Sequence, residues 1–304
     1  MIEFPEPLTS RAEPFARLPD GLRRRGVRSA WGDANRQGAS LDCFLEGPAF
    51  DRDGRLYCVD VPYGRIFRVD EAGNFEVAAE YDGWPYAVKI HKDGRIFIAD
   101  YRLGILLLDP ASGRVETLLD RHLPYSLKGA NDLYFSRTGA LYFTDYGQTD
   151  LHDPTGRVFR LEDGIVSCLT ASVPGPNGLA LSPDERILYV AATRSNAIWR
   201  AVLREDGSLM KVSVFAHLNG GVGPDGMTVD ADGNLFVAHA GRGIVWGFSP
   251  HGELIHRILS CGGYEVTNLA FGGPQNRTLF ITDADGLIQR ITLPTPGHLL
   301  YSHQ

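Results

Sequence analysis

Two carboxylates and two carboxamides stand at equivalent points of a repeating sequence: Glu46, Asn131, Asn177 and Asp225. Like charges held together in a confined site repel and resist ionisation unless something positive sits between them. An oxygen-only ligand set suits a hard divalent cation such as calcium, magnesium or manganese better than a thiolate-seeking one. Two carboxylates would neutralise a divalent charge, leaving water or a substrate oxygen to complete the coordination. The residues alone leave a second reading open: a polar, water-filled channel whose side chains bond one another and trapped solvent.

These side chains meet only if the chain brings them together, and its repeats do so. Short strands rich in aromatic and β-branched residues recur as Arg55-Leu-Tyr-Cys-Val-Asp60, Arg95-Ile-Phe-Ile-Ala-Asp100, Ala140-Leu-Tyr-Phe-Thr-Asp145, Ile187-Leu-Tyr-Val-Ala-Ala192, Asn234-Leu-Phe-Val-Ala-His239 and Thr278-Leu-Phe-Ile-Thr-Asp283. Turns such as Asp53-Gly54, Asp93-Gly94 and Asp232-Gly233 precede them, and such pairs join twisted antiparallel strands. The strand before each turn aligns on Glu46, Tyr86, Asn131, Asn177, Asp225 and Thr267, at separations of 40, 45, 46, 48 and 42 residues by subtraction. That is the period of a four-stranded propeller blade, and six copies fall within the usual range of about 4–8. The fold expected is all-β: a six-bladed β-propeller of four-stranded antiparallel blades around a central channel, over residues 41–304. Residues 1–40 carry no repeat and are expected to supply an outer strand closing the ring, or a cap over one face. An α/β arrangement would need helices of about 10 or more residues between strands, which the intervals do not hold.

Counting the aligned position as zero, position +4 is always apolar (Phe50, Ile90, Phe135, Leu181, Val229, Phe271), and +2 nearly so. Period-two alternation places position zero on that same packed face. Polar residues there in four of six copies are the anomaly. Because the innermost strands of a closed propeller line its channel, the four would converge at one mouth.

The 35 Gly and 18 Pro, spread along the chain, agree with many turns and short strands. A net charge of −7 without a long Lys/Arg run argues against nucleic acid as a partner. Met1–Pro7 lacks a signal-peptide pattern, and no apolar run approaches a membrane span, so a cytoplasmic, membrane-free protein is expected. Cys43, Cys58, Cys168 and Cys261 show no metal or redox spacing and read as buried free thiols.

Leu45-Glu46-Gly47-Pro48, Ala130-Asn131-Asp132-Leu133, Pro176-Asn177-Gly178-Leu179 and Pro224-Asp225-Gly226-Met227 resemble the signature phrases of the gluconolactonase/regucalcin (senescence-marker) family. The phrase Val266-Thr267-Asn268-Leu269-Ala270-Phe271 is similar to that family's last blade, so the resemblance spans about residues 42–293. It implies a lactonase, opening sugar-acid lactones or related cyclic esters with one catalytic divalent metal. Calcium is the first choice, with manganese, magnesium, zinc or iron as alternatives. By the same resemblance Glu46, Asn177 and Asp225 are metal ligands, Asp225 the general base, and Asn131 a metal or substrate contact. Two departures bear on the substrate. Gly129 stands where some members have Arg, with Lys128 as the nearest cation, and Trp84-Pro85-Tyr86 offers an aromatic rim. Tyr86, Trp84, Lys128 and His239 are therefore candidate substrate contacts, His239 also reading as structural, and these departures leave room for a substrate flatter or more apolar than a sugar-acid lactone.

Other readings have less behind them. Gly221-Val222-Gly223-Pro224-Asp225-Gly226 satisfies a dinucleotide pattern but leads into a strand, not a helix. The calcium-loop echoes at Asp230 and Asp283 stop short of a full loop and read as hairpin turns. Asp60, Asp100, Asp145 and Asp283 end four strands alike, which favours structural hydrogen bonding. Competing functions are organophosphate or ester hydrolysis at the same ring, a strictosidine-synthase-like enzyme, and a non-catalytic NHL-like binding propeller; the last gives no reason for paired carboxylates in the channel.

In the mechanism this implies, a divalent cation held by Glu46, Asn177 and Asp225 would supply Lewis-acid polarisation of the lactone carbonyl, and either that cation or Asp225 as base would activate the attacking water. Asp225→Asn or Glu46→Gln is expected to lower kcat by about a hundredfold or more, without unfolding the protein. Steady-state kinetics beside a thermal melt check it, and near-wild-type turnover in either variant contradicts it.

Overall fold

Six blades, each built on four antiparallel strands, stand around an axis because each aromatic and β-branched segment is short, turn-bounded and apolar on both faces. The computed structural model describes residues 6–122 and 125–304; Met1–Pro5, on which part of the signal-peptide reading falls, lie outside them. The first blade runs from channel to rim as Leu45–Phe50, Leu56–Asp60, Arg65–Val69 and Phe75–Glu80. The inner strands of the others are Pro85–Ile90, Ala130–Phe135, Pro176–Leu181, Gly223–Val229 and Val266–Gly272. Each touches the next, and the sixth returns to the first.

The ring is closed by the chain's beginning. Glu13–Arg17 pairs antiparallel with Leu287–Thr292 as the sixth blade's outer strand, and Leu8–Arg11 runs parallel to Leu254–Leu259 as a fifth strand on blade five. Phe15 packs edge-on against Phe280 with ring centres 5.0 Å apart. Residues 293–304 cross the channel end opposite position zero. Gly297 bridges Asp230, Arg52 donates to the Ser302 carbonyl at 2.6 Å, and Tyr301 packs 4.9 Å from the His91 ring.

Apolar packing lies between blades. Ile66, Val88, Ile98 and Leu106 fill the first gap, while Leu45, Cys58, Phe67 and Ile288 join blade one to blade six. Each fully buried Leu, Ile or Phe contributes about 1.5–3 kcal/mol. The thiols divide: Cys43 and Cys58 are buried, Cys261 is half-buried and Cys168 is exposed. Burial fails for Cys168 because Ile165–Val173 is the outermost strand of blade three, where no further sheet covers it.

Asp60, Asp100, Asp145 and Asp283 are wholly buried and tie each second strand to its surroundings. Asp145 accepts from the Gly129 amide and from Arg157 Nε, both at 2.6 Å. Asp60 accepts from the Phe44 amide at 2.7 Å and from Arg65. The segments entering the first and third channel strands are thereby pinned. Removing one partner of such a pair strands the other, at about 3–5 kcal/mol. Asp145→Ala is expected to lose stability of that order in urea unfolding; a loss below about 1 kcal/mol contradicts the pinning role.

Candidate metal and substrate site

All six inner strands slip register at the same place. The irregularity falls at Glu46/Ala49, Pro85/Ala87, Ala130/Leu133, Pro176/Leu179, Pro224/Met227 and Val266/Leu269. A bulge re-aims the side chain beside it. Strict alternation therefore breaks between position zero and the packed positions +2 and +4, contrary to the shared face expected from period two. The bulged backbone also crowds its neighbour. Gly47 sits at φ 51, and a Cβ there would lie 2.2 Å from Ala87 Cα. A Cβ on Gly226 would lie 2.0 Å from Asn268 Cγ. Only glycine fits after Glu46 and Asp225.

A cavity of ≈ 280 Å³ opens at this mouth, lined by Tyr86, Asn131, Asn177 and Asp225 among others. Glu46 lies beneath, 3% exposed, with the Gly47 amide donating to Oε2. Its carboxyl is held well above the ordinary carboxylate range, first by burial, then by the charges of Asp225 and Asp132, against a hydrogen bond from Asn268. Asp225 keeps partial access to the cavity. Burial raises it too, with Glu265 and Asp132 adding to the shift, while the Asn177 side chain and Arg194 oppose it. Asp132 is likewise raised by burial and relieved by Lys89, whose Nζ stands 3.6 Å away. The position-zero residue of blade six, Thr267, is no ligand candidate: its hydroxyl donates to the Leu45 carbonyl at 2.8 Å.

The donor chemistry fits a hard cation. Asn177 Oδ1 is buried and accepts no hydrogen bond, beside two carboxylates that repel each other. An orphaned buried acceptor of this kind costs about 1–3 kcal/mol, which a cation among the three groups would recover. Among the described residues no three His, Cys, Asp or Glu side chains form a metal-holding group by themselves. The set is instead mixed, carboxylate and amide.

Three sequence candidates stand away from the cavity. Lys128 Nζ donates to the Thr155 carbonyl at 3.0 Å, because its stem is packed over Gly147. Trp84 lies between Tyr101, at 6.1 Å, and the Arg102 guanidinium, at 5.5 Å. His239 is wholly buried; Nε2 bonds the Gly220 carbonyl at 2.8 Å and Nδ1 accepts from Trp246 at 3.0 Å. It occupies the strand-end place of the aspartates and does their tying work with imidazole nitrogens.

Other lining residues come from outside the aligned position. Tyr101, Tyr146, Thr193 and Ala240 each follow the last residue of the strand-end motif, a register visible in the sequence and unused there. Trp31 and Asn35 come from the short helix Ala30–Asn35, capped by Ser29 Oγ accepting from the Gly32 amide, and Arg36 follows its last residue. Trp31 Nε1 donates to the Tyr86 hydroxyl at 2.7 Å, and Gln148 donates to Asn35 at 2.9 Å. That helix forms part of the cavity wall. Burial raises the Tyr101 phenol to about 12, so the wall is neutral and aromatic on this side.

Comparison with known proteins places this geometry. Residues 44–285 match the SMP-30/Gluconolactonase/LRE-like region. Lactonase drp35 of Staphylococcus epidermidis is 33% identical over 245 residues, covering 76% of this chain and 74% of that protein. Its counterpart in Staphylococcus haemolyticus is 32% identical over 286 residues, 86% of each. A gluconolactonase structure from Xanthomonas campestris superposes with a TM-score of 0.74 at 25% identity, covering 96% of this chain and 99% of that one. The calcium-binding regucalcin of Agrobacterium tumefaciens superposes at 0.75, also at 25% identity, covering 86% and 94%. With a family match across most of its length and relatives of this similarity, the chain belongs to the SMP-30/gluconolactonase/LRE-like family.

Proposed function

We propose that the chain is a lactonase acting with one divalent cation, calcium first, held by Glu46, Asn177 and Asp225, with Asn131 beside it toward the substrate. The observation that carries the reading is the unpartnered Asn177 Oδ1 set among buried, mutually repelling carboxylates in the cavity of a lactonase-family propeller. Bound there, such a cation supplies Lewis-acid polarisation of the lactone carbonyl. Asp225 is the carboxylate of the ring that opens on the cavity, so it takes the proton of the attacking water. Tyr86 accepts from Trp31 and so keeps its own O–H free to donate to a substrate oxygen. Tyr101 and Tyr146 present aromatic surface to a flat ring. The cavity volume, ≈ 280 Å³, suits a compact lactone of one or two rings.

A lactone panel followed by acid release tests the activity, with simple esters and a phosphotriester as comparison arms. Stripping divalent cations is expected to lower lactone turnover by about a hundredfold or more, and calcium to restore it. Near-normal turnover in the stripped protein overturns the cation's role. Preferential turnover of the phosphotriester overturns the lactone reading.

A stability test is independent of substrate. Glu46 and Asp225 are held above their ordinary values of 4.5 and 3.8. The folded, cation-free chain therefore keeps protons that the unfolded chain has released, and its stability falls as pH rises above about 5. A cation takes the place of those protons. Calcium is expected to raise the melting temperature more at pH 8 than at pH 5; an equal or opposite effect contradicts the assignment.

A further inference from the structure

We infer that Arg194 is the specificity-determining cation of the cavity, and that the preferred lactone carries a carboxylate beside its ring. This rests on the lactonase reading and adds to it the charge of the substrate.

Of the cations Arg36, Lys89, Lys128 and Arg194, the first three are committed. Arg36 lines the cavity but stands 3.4 Å from Glu265, with its guanidinium 5.5 Å from the Phe44 ring. Lys89 faces Asp132 beneath the floor. Lys128, the cation nearest the inner strand of blade three, is turned to Thr155. Arg194 lines the cavity, is exposed, and has no carboxylate within ion-pair distance among the described residues. Its guanidinium stands 5.8 Å from the Tyr146 ring centre. The Tyr146 ring and its hydroxyl together orient the guanidinium, and the N–H donors turned away from them are left to meet a carboxylate.

The arginine is also well held. It sits in the one-turn segment Thr193–Ser195 between the second and third strands of blade four. Thr193 Oγ1 donates to the Pro224 carbonyl at 2.6 Å, and the Arg194 amide donates to the Pro174 carbonyl at 3.2 Å. Gly175 lies so near the arginine stem that a Cβ there would come within 2.8 Å of Cγ. These contacts link the turn to the segments that lead into Asn177 and Asp225. An anion bound at Arg194 would therefore lie beside the ring of oxygen ligands. Arg194 eases the charge on Asp225 without forming an ion pair with it, so an anionic group on the substrate would meet a guanidinium in a mouth otherwise bordered by Glu265 and Asp225.

The test compares two lactones of identical ring, one bearing a carboxylate and the other its carboxamide, in wild type, Arg194→Met and Arg194→Lys. Wild type is expected to prefer the acid. In Arg194→Met the acid-over-amide ratio of kcat/KM should fall by about tenfold or more, carried by KM rather than kcat, with Arg194→Lys between. An unchanged ratio overturns the inference, as does an equal loss on both substrates. If wild type opens neither lactone, the lactonase reading has failed, and binding then decides Arg194. Calorimetric titration at fixed calcium with the ring-opened dicarboxylate and its monoamide should show Arg194→Met losing the preference for the dicarboxylate. A preference retained in that variant, or missing from wild type, overturns the inference.

Discussion

Carboxylates repel one another most where water is scarcest, and this channel gathers Glu46, Asp132 and Asp225 at its mouth. Burial is the largest cause of the upward shift at each of them, ahead of any neighbouring charge. Such a ring persists only if it holds protons or shares a cation. Asp132 has Lys89. Among the described residues neither Glu46 nor Asp225 has an ion-pair partner, Arg194 acting on Asp225 only from beyond that distance, and between them the sequence places amides. An amide oxygen adds a donor without adding charge, so the ring can address a divalent ion and stay near neutrality.

Holding that arrangement explains features that otherwise look unrelated. The same bulge recurs in six inner strands, although only four of them carry a Glu, Asp or Asn at the aligned position. Hydroxyls of one blade then secure the backbone of the next. Thr144 donates to the Asn177 carbonyl at 2.7 Å, and Thr193 and Thr267 do the same for Pro224 and Leu45. Each contact satisfies a carbonyl that the bulge leaves outside the ladder. Rigidity at the ligands thus comes from neighbouring blades more than from the strand that bears them.

The sequence made the ring legible because the repeat carries it: residues more than 40 apart converge when each occupies one register of one blade. The polar exceptions at Glu46, Asn131, Asn177 and Asp225 were visible for the same reason, though the local bulge was not, since alternation is all a strand pattern encodes. Lys128 and Trp84 stand outside the cavity lining because residue type says nothing of where a side chain is already engaged, while His239 follows its structural reading. Trp31 and Arg36 were invisible as wall residues, since they lie in the one segment outside the repeat. Arg194 was within reach, one place beyond Thr193 in the register that also supplies Tyr101 and Tyr146. Its meaning depended on knowing that no carboxylate had claimed it.

The closing strand has a bearing on how this protein is made. Glu13 and Arg290 are joined across 277 residues of chain, so Glu13–Arg17 leaves the ribosome long before Leu287–Thr292 exists to receive it. Until then the early blades stack in an open arc with an unpaired edge. Loop closure over such a span is slow relative to the local hairpins of each blade. The short helix that walls the cavity belongs to the same early segment as the closing strand. Closure of the ring therefore waits on the sixth blade, and a chain ending before it would carry Glu46, Asn131, Asn177 and Asp225 without a closed channel around them.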